Sequence, residues 1–112
     1  MSDRRLIEAV VQVGADETLY LRCGRGPRVL VVLAQDAAER LRLIERFATE
    51  HRVIAPLGVG GFATEVERWL CGVIEGLGLE RVPVALAPEL AWLATRLVQC
   101  VDRVEEVTIV PV

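Results

Sequence analysis

A chain of 112 residues and 12.3 kDa is one ordinary domain, large enough for a single sizeable core and too short for two. With 53% hydrophobic residues, 26% charged residues and a net charge of only −3, it is neither a disordered chain nor a basic nucleic-acid binder. There is one serine (Ser2), one histidine (His51), no asparagine and no lysine, and all 13 positive charges are arginines, an inventory that argues against a conventional hydrolytic triad. Mean hydropathy is high at +0.40, yet charges interrupt every apolar run before the roughly 18 to 20 residues that a membrane span needs. No signal-peptide apolar stretch follows Arg4 and Arg5. A cytoplasmic protein with no membrane or nucleic-acid partner is expected. Cys23, Cys71 and Cys100 are widely spaced, with no Cys-x-x-Cys pair and one distant histidine, so they read as buried free thiols; neither zinc nor any other cofactor is expected.

Residues Leu6 to Val13 and Thr18 to Cys23 read as two strands joined by the turn Gly14-Ala15-Asp16-Glu17, an antiparallel hairpin. After Gly24-Arg25-Gly26-Pro27, the unbroken apolar run Val29 to Leu33 has the pattern of a strand buried on both faces in a parallel sheet. Asp36 then reads as an N-cap, with Ala37, Leu41, Ile44 and Ala48 at helical spacing as the packed face. Val53 to Leu57 is a further strand, running into the glycines Gly58, Gly60 and Gly61. A helix is predicted from Thr64, where Thr64-Glu65-Val66-Glu67 has capping-box form, with a stripe of Val66, Trp69, Leu70, Val73, Ile74 and Leu77 and a stop at Gly76 and Gly78. Arg81 to Ala87 is the next strand, interrupted by Pro83. Glu89 to Asp102 is a helix with apolar residues almost all round, a pattern that predicts burial on both sides. Val104 to Val112 closes the chain as a strand with Pro111 near its end. The order β-β-β-α-β-α-β-α-β predicts a three-layer α/β domain, a mostly parallel sheet with an N-terminal antiparallel hairpin.

The run Leu19-Tyr20-Leu21-Arg22-Cys23-Gly24-Arg25-Gly26-Pro27-Arg28-Val29-Leu30-Val31-Val32-Leu33 resembles the second and third strands of an α/β-hydrolase, and Arg52-Val53-Ile54-Ala55-Pro56 the strand that follows. Gly76-Leu77-Gly78-Leu79-Glu80-Arg81-Val82 is similar to that family's approach to its nucleophile strand, and Val101-Asp102-Arg103-Val104 to the entry of its sixth. The resemblance covers nearly the whole chain as a truncated, N-terminal half of the fold. It implies an oxyanion-loop His-Gly after the third strand, where Ala34-Gln35 stands here. It implies an Asp and an Arg-Gly pair after the fourth, where this chain has Leu57-Gly58-Val59-Gly60. Most telling is the nucleophile elbow Gly-x-Ser-x-Gly, whose place is taken by Leu86-Ala87-Pro88-Glu89-Leu90, with Pro88 at the serine position. The family's acid and histidine come after strands that this sequence does not include.

These departures predict a non-catalytic protein. Gln35, Asp36, Gly58, Gly60, Gly61 and Glu89 should converge at the carboxyl edge of the sheet, where open α/β sheets bind ligands, and are the candidates for a small-molecule site. Asp36 and Glu89 also have a plainer reading as helix caps, and the glycine cluster a plainer reading as a loop than as a dinucleotide fingerprint. Trp69 and Trp92 read as packing or interface residues rather than a cofactor box, and Arg22 and Arg25 stand beside Cys23. A half-fold leaves an unpaired edge and an uncovered apolar helix, so a homodimer through the C-terminal strand, the helix Glu89 to Asp102, or both is expected. The alternatives are a small-molecule binder using the carboxyl edge, and one half of a hydrolase completed by another chain.

Overall fold

A computed structural model describes residues 5–57 and 66–110. They form one six-stranded sheet: β1 (Ile7–Val13), β2 (Asp16–Cys23), β3 (Arg28–Leu33), β4 (His51–Pro56), β5 (Val82–Leu86) and β6 (Val104–Ile109). The spatial order is β1-β2-β4-β3-β5-β6. β1 pairs antiparallel with β2, and β2 antiparallel with β4, while β4, β3, β5 and β6 run parallel. The hairpin turn is tighter than the sequence suggests, because Asp16 already pairs with Val13.

The helices divide between two layers. α1 (Ala37–Phe47) crosses from β3 to β4 on one face of the sheet, packing Leu43, Ile44 and Ala48 against Leu30, Val32, Val53, Ala55 and Ala85. The phase of its buried stripe differs from the expected one: Leu41 is exposed at 41%, and Leu43 takes the core position. α2 (Val66–Gly76) lies on the opposite face with Val66, Leu70 and Ile74 in the core, as the sequence predicts. It ends as a Schellman cap, with Leu79 N–H donating to Ile74 C=O at 3.1 Å and Gly78 N–H to Glu75 C=O at 2.9 Å. The capping box Thr64-Glu65 and Gly58, Gly60 and Gly61 lie outside the described residues.

The single helix predicted over Glu89 to Asp102 is instead two pieces, a 3₁₀ turn over Pro88–Leu93 followed by α3 (Ala94–Cys100). Pro88 imposes the first turn, since it offers no amide and fixes φ. Nor is this segment enclosed on all sides. Leu90, Leu93, Leu97 and Val101 are buried beside α2, each worth about 1.5–3 kcal/mol, but Trp92 is 50% and Val98 56% exposed. Pro83 sits where the β5–β6 register shifts, so its missing amide breaks no regular ladder.

α2 approaches the hairpin closely enough to need glycine. A Cβ on Gly76 would lie 2.6 Å from the Gln12 carbonyl oxygen and 2.6 Å from Val11 Cγ2. Gly76→Ala therefore destabilises the fold by about 1–3 kcal/mol despite the better helix propensity of alanine. Urea unfolding followed by circular dichroism should show this as a lower midpoint with an unchanged slope; an equal or higher midpoint means that α2 and β1 are not in contact as described.

Candidate functional site

The parallel strands bring the segments after β3 and β5 to one edge of the sheet. They meet there directly, with Ala87 N–H donating to Leu33 C=O at 3.0 Å. Gln35, Asp36 and Glu89 all stand at this edge with exposed side chains. Asp36 caps α1, its Oδ2 accepting from Glu39 N–H at 2.9 Å, so this carboxylate already satisfies an otherwise unpaired helix donor. Arg40, which sequence reasoning passed over, folds back from the first turn of α1. Its Nη2 donates to the carbonyls of Ala34 at 2.9 Å and Gln35 at 3.4 Å, tying down the loop after β3. The only sequence signal for this was an arginine four residues beyond the cap.

The turn after β5 differs from a nucleophile elbow in its backbone as well as its sequence. Ala87 is extended (φ −64°, ψ 153°), Pro88 begins the 3₁₀ turn, and Leu90 N–H donates to Ala87 C=O at 2.9 Å. No non-glycine residue among those described has a positive φ, so the strained turn that an elbow requires is not formed at Pro88.

Cys23 and Cys71 fall in two settings, and only the first is buried as the sequence predicts. Cys23 is buried at the end of β2, within the α1-side core. Cys71 is half-buried on α2, with its Sγ 3.5 Å from Glu75 Oε1. Glu75 Oε1 also accepts from Arg103 Nε at 3.2 Å, and Arg103 Nη1 donates to Leu79 C=O at 3.1 Å, linking the end of α2 to the turn before β6. Burial, and then the neighbouring Glu75 carboxylate, push the Cys71 thiol pKa up, with Arg103 opposing. Trp69 Nε1 donates to Thr18 Oγ1 at 3.3 Å, a packing contact between α2 and the hairpin.

Two cavities open at the amino end of the parallel strands, opposite the candidate edge. One of about 500 Å³ is lined by Arg28, Phe47, His51, Arg81, Glu106 and Thr108, among others. The second, of about 550 Å³, is walled by arginines beside β1, β2 and β4. Among the described residues, no three His, Cys, Asp or Glu side chains gather as a metal site, and no helix is long and apolar enough to cross a membrane.

Comparison with known protein families and with curated proteins finds no match. Solved structures do match. A bacterial membrane phospholipase A superposes with a TM-score of 0.73 at 19% identity, over 93% of this chain and 39% of its own. The 2-hydroxy-6-oxo-6-phenylhexa-2,4-dienoate hydrolase of Rhodococcus sp. strain RHA1 superposes with 0.73 at 17%, over 95% and 46%. Carboxylesterase CesB of Bacillus subtilis gives 0.73 at 16%, over 95% and 43%. The chain thus has the α/β-hydrolase fold and spans less than half the length of these structures.

The Cys71 environment makes a direct prediction. A raised thiol pKa leaves little thiolate at neutral pH, so Cys71 should alkylate slowly there and faster as pH rises through that pKa. Glu75→Gln removes the carboxylate charge while retaining Arg103, moving the alkylation profile to lower pH. Peptide-mapped iodoacetamide labelling checks this; a profile moving upward, or unmoved, contradicts the assigned environment.

Proposed function

We propose that this α/β-hydrolase-fold chain is a non-catalytic, homodimeric interaction module. The observation that carries the non-catalytic reading is Pro88 at the first turn after β5, where the fold places its nucleophile: proline supplies no nucleophilic atom, and its backbone is in a relaxed turn. The loop after β3 points the same way. Its carbonyls are held by Arg40, and its sequence is Ala34-Gln35 in place of His-Gly. A partner chain supplying an acid and a histidine would still lack the nucleophile at this turn, which weighs against a two-chain hydrolase.

Self-association is proposed through the α3 layer. Trp92 and Val98 are large, apolar and at least half exposed, and Ile109, whose strand partner Leu86 lies in the same core, is 45% exposed on that side of the sheet. Exposed apolar residues grouped on one layer are characteristic of contact surfaces. β6 itself is poorly suited to strand-to-strand pairing, because Glu105 and Glu106 are exposed and the register shifts beside them. Side-chain packing across α3 is therefore the proposed mode, with a two-fold axis bringing like residues together.

Sedimentation at micromolar concentration should give a dimer for the native chain and a monomer of unchanged circular dichroism for Val98→Asp. Val10 and Leu19 form a separate exposed cross-strand pair on the hairpin, so Val10→Glu should remain dimeric. A native monomer, or dissociation by Val10→Glu but not by Val98→Asp, refutes the assignment. Broad ester and phosphoester substrates should turn over no faster than in buffer. Activity that disappears on substituting Thr64, Cys23 or Glu89 would overturn the non-catalytic reading.

A further inference from the structure

We infer that the arginine-walled cavity at the amino end of the sheet binds a small molecule bearing two or more phosphate groups. Among the described residues its wall is formed by Arg5, Arg22, Arg25 and Arg52 with Ile7, Cys23 and Gly24, around about 550 Å³ of open concavity, and none of these described residues is acidic. In a chain with net charge −3, the guanidinium groups of Arg5, Arg22 and Arg52 around one concavity concentrate positive charge. Among the described residues, ion pairs join Arg42 with Glu39, Arg96 with Glu67 and Arg103 with Glu75. No described carboxylate forms such a pair with Arg5, Arg22 or Arg52.

The sheet register explains the convergence. Ile7 pairs with Arg22, and Arg22 with Ile54, so these three share a face; Arg52, two residues before Ile54, lies on that same face. α2 crosses the upper hairpin, where Gly72 meets Val13 and Gly76 meets Gln12, and leaves the row from Ile7 to Arg52 uncovered. Arg25 is presented by a closely held loop. A Cβ on Gly24 would collide with the His51 carbonyl oxygen, and one on Gly26 with that of Glu50, so the loop backbone is seated against the turn between α1 and β4.

Guanidinium forks match the paired oxygens of phosphate, and several of them in one pocket favour a ligand with several phosphates over a single anion. The volume is within the range of small-molecule sites and too small to enclose a macromolecule. The cavity is remote from Pro88 and uses none of the α3 residues, so this inference stands apart from the proposed dimer.

Isothermal titration calorimetry with inorganic tripolyphosphate should show saturable one-to-one binding that weakens as salt is raised. Arg22→Gln and Arg52→Gln should each weaken it by about tenfold, whereas Arg42→Gln on α1 should leave it unchanged. Orthophosphate should bind more weakly than tripolyphosphate. Absent saturation, equal loss in Arg42→Gln, citrate binding as tightly as tripolyphosphate, or a short oligonucleotide binding more tightly, would each overturn the inference.

Discussion

Every other element depends on the burial of β3 on both faces. Val31, Val32, Leu33 and Ala34 are fully inaccessible, with Val31 and Leu33 in one core and Val32 and Ala34 in the other. A strand so placed needs hydrogen-bonded neighbours on each side and a packed layer above and below, the usual setting of a parallel sheet. β4 and β5 supply the neighbours; α1 covers one face, and α2 and α3 cover the other. The hairpin is then attached outside β4, and α2 reaches across to hold it through Trp69 and the close contact at Gly76.

The same construction sets what the carboxyl edge can do. Loops that in an α/β sheet are free to hold ligands are here occupied with local tasks: Asp36 caps a helix, Arg40 binds the carbonyls beside it, and Pro88 starts a turn whose leucines fill the core. Chemistry-bearing side chains gather instead at the opposite end, where the strands begin. That inversion follows from where the arginines stand in the strands. Arg22 ends an antiparallel strand and Arg52 begins a parallel one, so the two reach the same end of the sheet from opposite chain directions.

Much of the architecture was legible because β3 carries an unbroken apolar run and β4 and β5 short apolar ones, and because Asp36 and Gly78 mark helix ends by local chemistry. The phase of α1 was not, since Leu41 and Leu43 both suit a helical stripe and only packing against Val53 and Ala55 selects Leu43. The α3 segment misled for a different reason: its sequence is apolar all round, but the sheet and α2 provide burial for one side only, and Pro88 converts its beginning to a 3₁₀ turn. Of the candidate site residues, Asp36 was recognisable in both its readings, and the structure assigns it the capping task. The arginine cavity was invisible in one dimension because its members are far apart in sequence and meet only through the β1-β2-β4 register.

The register shift between Val82 and Pro83 bears on solubility. It places Glu105 as an extra residue in β6 and bends that strand out of a flat ladder. A newly made chain can therefore expose β6 without offering a straight template on which further copies could stack into a growing sheet. The irregular ladder and the exposed Glu105 and Glu106 thus make this edge a poor partner for a further strand.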